Sequence, residues 1–275
     1  MPKKNLSSSG QTGPLSVGNV VSASLRIYRD HFKSYFGLAL VASLWLIVPI
    51  YGSAKYSASL GLISRLAFGE VREKPETVSD ARREVNPRMW SFFGAGILTS
   101  LIYIGVFLGG GIAMAILAAG AGAIFGQNDV IIAALLVVAV IAFLIIYIRI
   151  ISRLLIVELP LAIENNIGAS SAIARSWELT KGSVGRIQWI VFVGILVSLP
   201  ITFVVQILSG IFESVLKAVF GAESGIFYLV YYLLILLLSF GSGVLVAPFW
   251  QAMKAIIYYD LRSRKEGLGL QMRDR

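Results

Sequence analysis

Cysteine is absent from this sequence of 275 residues, and charged residues make up only 14% of it. The lack of cysteine excludes a disulfide scaffold, thiolate metal sites and thiol catalysis. An ordinary soluble domain carries about 25% charged residues, so this chain cannot cover a water-facing surface in the usual way. There is one histidine, His31, whereas catalytic metal sites need several His, Asp or Glu ligands that converge. We therefore expect no metal and no other cofactor.

Apolar residues dominate instead, at 57% of the chain, with a mean hydropathy of +0.79. A helix that crosses a bilayer needs about 20 mostly apolar residues. Long uncharged runs occur at residues 34–54, 89–127, 130–148, 187–212 and 225–253. Pro200 within one of them predicts a kink that need not stop the helix. Residues 1–20 lack the apolar core of a secretory signal, which predicts that the N-terminus stays in the cytosol. Residues 1–14 are predicted to be a flexible polar segment.

Lysine and arginine total 24 against 15 aspartate and glutamate, a net charge of +9. Most of the basic residues fall in four blocks, at residues 3–33, 70–88, 149–186 and 254–275. Because cytosolic loops carry the excess of Lys and Arg, all four blocks are predicted to lie in the cytosol. Each apolar region between two blocks must then cross twice. The basic excess thus indicates orientation and attraction to anionic lipid head groups, and not nucleic acid.

This charge pattern predicts an all-α fold: a polytopic integral membrane helical bundle with about six transmembrane helices in three hairpins, plus cytosolic amphipathic interfacial helices. One helical membrane domain covers residues 15–260, and a basic cytosolic tail covers 261–275. The predicted spans are about 34–54, 55–68, 89–111, 130–150, 187–208 and 225–250. The far-side connections are then 51–53, 127–129 and 209–224.

Two of these regions need special treatment. The span 55–68 is short and contains Arg65, which is expected to snorkel to the inner head groups. The run 89–127 is too long for one crossing, and the triplet Gly109-Gly110-Gly111 is predicted to divide it. Residues 112–125 are then a steep extension, a re-entrant piece or an outer-surface helix.

Amphipathic helices are predicted on the cytosolic side, before the hairpins. The first has an apolar face formed by Val21, Leu25, Tyr28 and Phe32. Another, before the third hairpin, has an apolar face formed by Ala169, Ile173 and Trp177. Ser170 or Ser171 is its candidate N-cap, and Lys181-Gly182 is its stop. These helices indicate either a threefold repeat of surface helix plus hairpin or the ordinary surface helices of a multispan protein.

Three stretches resemble one family. They are LSVGNVVSASLRIYRDHFKSYFGLAL (15–40), LPLAIENNIGASSAIARSWELTKG (159–182) and IIYYDLRSRKEGLGLQMR (256–273). They are similar to the membrane domain attached to some bacterial glycerophosphoryl diester phosphodiesterases, which occurs more often as a stand-alone multispan protein. In the fused members a separate TIM barrel carries the metal-binding residues, and nothing in this chain corresponds to it. The tail departs mildly from the family, with Gly269 where Asp often stands. The resemblance implies a membrane module without the hydrolase activity.

No residue is a candidate for catalysis, cofactor binding or metal binding. His31, beside Asp30, is better interpreted as an ordinary surface residue than as a catalytic base. Lys55 is likewise better interpreted as an ordinary surface residue than as part of a Ser-Lys dyad. The candidates for structural or interaction roles are Glu158, Glu164, Arg175, Trp177, Lys181, Asp260, Arg262 and Glu266.

Glu158 and Glu164 lie near the inner end of the fourth span, where an acidic residue suggests proton coupling or, more simply, pairing with Arg149 or Arg153. Helical spacing predicts three ion pairs, Arg175–Glu178, Asp260–Arg264 and Arg262–Glu266. Trp177 fits an interfacial aromatic position, with lipid binding as the alternative.

The leading functional hypothesis is a non-enzymatic integral membrane protein, an accessory or scaffold module with basic amphipathic helices at the cytosolic face. The alternative is a small transporter or lipid-handling protein, suggested by repeated hairpins and broken helices. The expected location is a bacterial cytoplasmic (inner) membrane or an internal membrane, with both termini cytosolic. The expected partners are the lipid bilayer, anionic lipid head groups, and a protein partner or a second copy of the chain, but no nucleic acid.

Overall fold

The computed structural model describes residues 15–126, 128–221 and 223–267. Those residues form helices joined by short turns, with no strand among them, so the predicted all-α class is confirmed. The helices are α1 (Val17–Asp30), α2 (Phe32–Trp45), α3 (Tyr51–Val71), α4 (Val78–Val85), α5 (Met89–Phe125), α6 (Asp129–Leu154), α7 (Glu158–Ile163), α8 (Ala169–Thr180), α9 (Val184–Phe220) and α10 (Gly225–Glu266), with a 3-10 helix at Asn86–Arg88. The predicted N-terminal segment 1–14 and residues 268–275 of the predicted tail lie outside the described residues.

Within the described residues, four helical stretches are long and apolar enough to cross a membrane. They are Val78–Phe125, Asp129–Ile163, Val184–Phe220 and Gly225–Glu266. The membrane character of the chain is therefore confirmed, whereas the count of six crossings stays a prediction. The first predicted hairpin, α2 and α3, is outside this group: α2 has only 14 residues, and α3 carries Lys55 and Arg65.

Buried side chains gather at one end of the molecule, which we call the base. It consists of α1, α3, α4, α7 and α8 packed against the first half of α2, the first turns of α5 and α9 and the last turns of α6 and α10. Its most completely buried large side chains are Tyr258, Ile63, Ile156, Leu159, Leu161, Leu179, Ile187 and Ile190. The rest of the four long helices forms two distal hairpins, residues 97–148 and 195–243, whose apolar side chains are mostly exposed. This division matches a packed base beside lipid-facing hairpins.

The prediction that the glycine triplet divides the run 89–127 is wrong. Helix α5 is continuous from Met89 to Phe125, so residues 112–125 extend the same helix. A Cβ atom at Gly110 would clash with the ring of Phe143 on α6, whereas Gly109 and Gly111 have no neighbour there. Gly110 therefore allows α5 and α6 to approach each other closely, and the triplet does not break the helix.

The turn between α2 and α3 comes earlier than predicted. Residues 46–50 form it, and Tyr51–Ser53, the predicted connection, are the first turn of α3. Pro49 disfavours a helical conformation at the residue before it, which explains the early break. A Cβ at Gly52 would clash with the carbonyl of Trp45, so only glycine allows this reversal.

Other far-side boundaries differ in the same way. Helix α9 passes through Pro200 without ending and continues to Phe220, so residues 209–220 are helical and not a connection. Gly221, with φ of 80°, ends it as expected for a glycine stop. At the base, α10 runs to Glu266 and includes the first residues of the predicted tail.

The predicted apolar faces of α1 and α8 are rotated. In α1 the buried residues are Val20, Val21, Ala23, Ser24 and Ile27, whereas Leu25 and Phe32 are exposed. In α8 the buried residues are Ala172, Ser176, Leu179 and Thr180. This helix begins after Gly168 with no side-chain cap, so the predicted serine N-cap is wrong, but its end at Thr180 and the positive φ of Gly182 agree with the predicted stop. Both helices bury small and hydroxyl side chains because they pack closely.

Candidate functional site: the ionic layer of the base

Three sets of charged side chains, around Asp260, Glu164 and Glu158, join helices of the base that are distant in the sequence, and together we call them the ionic layer. The first joins α9, α10 and the segment before α1. Arg186 donates to Asp260 Oδ2 at 2.7 Å and to the carbonyl of Leu15 at 2.7 Å. The Leu15 N–H donates to Asp260 Oδ1 at 3.0 Å. Asp260 is 7% exposed, so the predicted surface pair with Arg264 is wrong: Asp260 faces inward, to a residue that the helical spacing does not reveal.

The second set centres on Glu164, just after α7. Its carboxylate accepts from Arg175 Nε at 3.1 Å and from the hydroxyl of the buried Tyr258, and it lies 3.9 Å from Arg262. Arg175 also donates to Glu266. Arg262 Nε donates to Glu266 at 2.8 Å, as the i,i+4 spacing predicts. Glu164 and Glu266 are thus bridged by two arginines, which connects α7, α8 and α10.

Arg175 is held as a cation by this arrangement. Partial burial by itself lowers the pKa of Arg175, but the hydrogen bonds and charges of Glu164 and Glu266 outweigh it, so the pKa lies above the ordinary arginine value. The predicted contact with Glu178 is present at 3.4 Å, where Glu178 is largely exposed. The strong partners of Arg175 are therefore the tertiary ones.

The third set surrounds Glu158 at the start of α7. Lys254 Nζ donates to Glu158 at 3.0 Å. Beside this pair, the buried hydroxyl of Ser64 donates to Gln251 Oε1 at 2.8 Å and lies 3.5 Å from the Glu158 carboxylate. Glu158 thus pairs with α10 and Glu164 with α8, so the prediction that they pair with Arg149 or Arg153 of α6 is wrong.

Arg153 contacts α8 instead. Its guanidinium lies 4.4 Å from the centre of the Trp177 ring, and its carbonyl accepts from Ser176 Oγ at 2.7 Å. Trp177 remains 44% exposed, so it covers the arginine from outside. Lys181 directly follows α8. Its side chain is exposed, and its backbone N–H donates to the carbonyl of Glu178. The structure therefore places Trp177 and Lys181 at the rim of the ionic layer.

Sequence reasoning missed two arginines that hold the end of α7. Arg65 donates to the carbonyl of Ala162 at 2.8 Å and to Glu76 at 2.8 Å. Arg88 donates to the carbonyls of Leu161 at 3.2 Å and Glu164 at 2.6 Å. The last carbonyls of a helix have no partner within it, so cations there are stabilising. The only signal in the sequence was the isolated charge of Arg65 in an apolar stretch, which snorkelling also explained.

The ionic layer brings the basic blocks to one end of the molecule. Its contacts join residues of the blocks 70–88, 149–186 and 254–275, and the Leu15 backbone and the 3.4 Å contact of His31 with Glu70 attach the first block. Chemically, each acidic candidate is paired with a cation. Among the described residues no three His, Asp or Glu side chains converge in a way that could hold a metal ion.

No family model, no curated protein and no solved structure matches this chain. The resemblance to the phosphodiesterase-associated membrane domain therefore stays a prediction from the three sequence stretches.

Proposed function

We propose that the chain is a non-enzymatic integral membrane protein, an accessory or scaffold module whose base lies at the cytosolic face of a bacterial cytoplasmic or internal membrane. One observation carries this proposal: the carboxylates of Glu158, Glu164, Asp260 and Glu266 are each paired with Lys or Arg. A carboxylate that is paired with a cation is a poor general base. The pairing instead stabilises the packing of the helices that it joins. The proposal includes kinship with the stand-alone form of the phosphodiesterase-associated membrane domain.

The orientation follows from charge. Basic side chains resist crossing hydrocarbon, so a base that gathers the basic blocks belongs on the cytosolic side with both termini. The distal hairpins then cross the membrane as α5/α6 and α9/α10. Six crossings need α2 and α3 to cross as well, and the length of α2, about 21 Å at 1.5 Å per residue, falls short of a core of about 30 Å.

The exposed basic side chains of the base supply its surface for partners. Arg29, Lys33, Arg82, Arg83 and Lys181 are exposed there. A basic residue near an anionic membrane surface contributes about 1 kcal/mol, which is about fivefold in binding. Anionic head groups or an acidic protein surface are the partners that this charge favours.

Two measurements on the purified chain test this function. In nanodiscs of mixed anionic and zwitterionic lipid, the protein should enrich anionic lipid, and Arg82→Gln with Arg83→Gln should lower the enrichment. Lys217→Gln, on the distal side, is the matched control and should leave it unchanged. Glycerophosphodiesters should survive incubation with the protein and divalent metal ions; steady hydrolysis that is lost in Glu158→Gln or Glu164→Gln would refute a non-enzymatic role.

A small transporter or lipid-handling protein is the second candidate. It is favoured by the polar set around Glu158 and by an apolar groove between α9 and α10 beside Pro200. Against it, the runs 89–126 and 225–253 carry no charge, so ion-coupling groups are missing at mid-membrane depth. Flux into liposomes, with Glu158→Gln and Glu164→Gln as variants, separates the candidates: flux sensitive to either change favours the transporter, and no flux favours the scaffold.

A further inference from the structure

The turn between α2 and α3 presents an unusual surface. Residues 44–51, which we call the tip, are all apolar or aromatic and all exposed, with Ile47 79% exposed. Contiguous apolar surface of this kind marks an interaction site. The turn in the tip is tightly packed, because Gly52 packs against the Trp45 carbonyl and the centres of the Trp45 and Tyr51 rings lie 5.7 Å apart.

The depth of the tip follows first from α10. Helices α3 and α10 run in the same direction, since Ser64 bonds Gln251 and Phe68 packs on Tyr258. From that bond, α3 extends about 20 Å to Tyr51, whereas α10 extends about 39 Å to its start at Gly225. The tip therefore stops about 20 Å short of the distal end of α10.

Helix α5 gives a second measure. Gly61 of α3 lies against the ring of Phe92, and Tyr51 is about 15 Å further out, level with the region of Tyr103 on the longer α5. The Tyr103 ring contacts Tyr147 of α6, two residues before the exposed Arg149. Arg149 ends the uncharged run of α6, so Tyr51 lies near the level where hydrocarbon gives way to head groups on the basic side. Residues 46–50 form the turn beyond Tyr51 and therefore lie farther from the base, on the hydrocarbon side of that level.

We propose that the tip inserts into the hydrocarbon of the leaflet on the basic side and ends there, so that α2 and α3 form a monotopic wedge and not two crossings. Its ligand is the acyl chains of that leaflet, continuous with the lipid around the distal hairpins. Trp45 and Tyr51 then occupy the interfacial zone that aromatic residues favour. Lys55, whose ammonium lies 5.8 Å from the Tyr51 ring, extends toward lipid phosphates. This inference rests on the proposed topology, with the base on the cytosolic side.

The chain has no cysteine, so single cysteines can be placed in the full-length protein. Ile47→Cys reports on the tip, Lys74→Cys on the base and Glu223→Cys on the distal end; all three side chains are exposed, so folding should be unaffected. In sealed vesicles an impermeant maleimide should label Lys74→Cys from the base side and Glu223→Cys from the far side. Ile47→Cys should label from neither side, and a fluorophore attached there should be quenched strongly by lipids with a shallow acyl-chain nitroxide.

Each other result has a definite meaning. Labelling of Ile47→Cys from the far side would mean that the hairpin crosses, which overturns the wedge and leaves the topology intact. Labelling from the base side without quenching would place the tip in water and also overturn the wedge. If Lys74→Cys and Glu223→Cys are labelled from the same side, the proposed topology fails, and the assigned leaflet fails with it.

Discussion

Replacing Arg175 with glutamine should weaken the base more than any loss of a surface ion pair. Arg175 is 23% exposed and Glu164 is 15% exposed, so Arg175→Gln leaves two carboxylates, those of Glu164 and Glu266, short of a partner in a largely dry site. Removing one partner of a fully buried pair costs about 3–5 kcal/mol. Because this site retains some solvent, we expect about 2–3 kcal/mol. For a chain of this size, that loss corresponds to a fall in melting temperature of about 5–10 °C.

Thermal unfolding in a mild detergent, followed by size-exclusion chromatography, measures this shift. Lys217→Gln is the control, because it breaks an exposed i,i+4 pair with Glu213 and should leave the melting temperature unchanged. The double variant Arg175→Gln with Glu164→Gln should lose less than the sum of the single losses, since the second change removes a stranded charge. A loss from Arg175→Gln no larger than that of the control would refute the stabilising role of the ionic layer.

Two further changes test the packing of the base. Gly61→Ala should force a methyl group against the ring of the buried Phe92 and cost about 1–3 kcal/mol. Gly105→Ala, in open space on α5, should not lower the melting temperature in the same thermal assay, because alanine favours a helix over glycine. Equal melting temperatures for the two variants would contradict the close contact of α3 with α5. Arg186→Gln should release Asp260 and the segment before α1, so that trypsin cleaves α1 faster; an unchanged cleavage rate would mean that this arginine does not hold the segment.

The gathering of basic blocks at one end was predictable because it depends on charge alone. The blocks flank the apolar runs, and a charged side chain costs several kcal/mol near the centre of the hydrocarbon whatever it packs against. No detail of packing enters that argument. The all-α class followed in the same way, because long uncharged runs leave the helix as the means of satisfying the backbone.

The partners of the carboxylates were not predictable, because they depend on tertiary structure. Spacing along one helix suggested Arg264 for Asp260, yet Asp260 points at Arg186 from another helix. Spacing did give the pair of Arg262 with Glu266, which are both partly buried and lie one turn apart on α10. Helical periodicity thus identifies neighbours on one helix and fails when the partner comes from another helix.

The buried faces of α1 and α8 show a related limit. Large apolar residues at helical spacing predicted that Leu25 and Trp177 would be buried, and both are exposed. The faces that pack use Ser24 and Ser176, whose hydroxyls bond backbone carbonyls and whose size allows helices to approach closely. In a chain whose solvent is partly lipid, exposure of a large apolar side chain costs little, so hydrophobicity stops distinguishing the inside from the outside.

The attraction between opposite charges acts both within the base and between the base and the membrane. Glu158, Glu164 and Glu266 pair with Lys254, Arg175 and Arg262 and thereby join α7, α8 and α10, so these three contacts use opposite charges in equal number. The chain as a whole keeps a net charge of +9, and that excess has to face water or anionic head groups. Paired charges inside the base therefore hold the helices together, and the exposed basic side chains orient them in the proposed topology. The exposed tip of the α2–α3 hairpin lies on the membrane side of this layer, where acyl chains are the surroundings that its apolar side chains require.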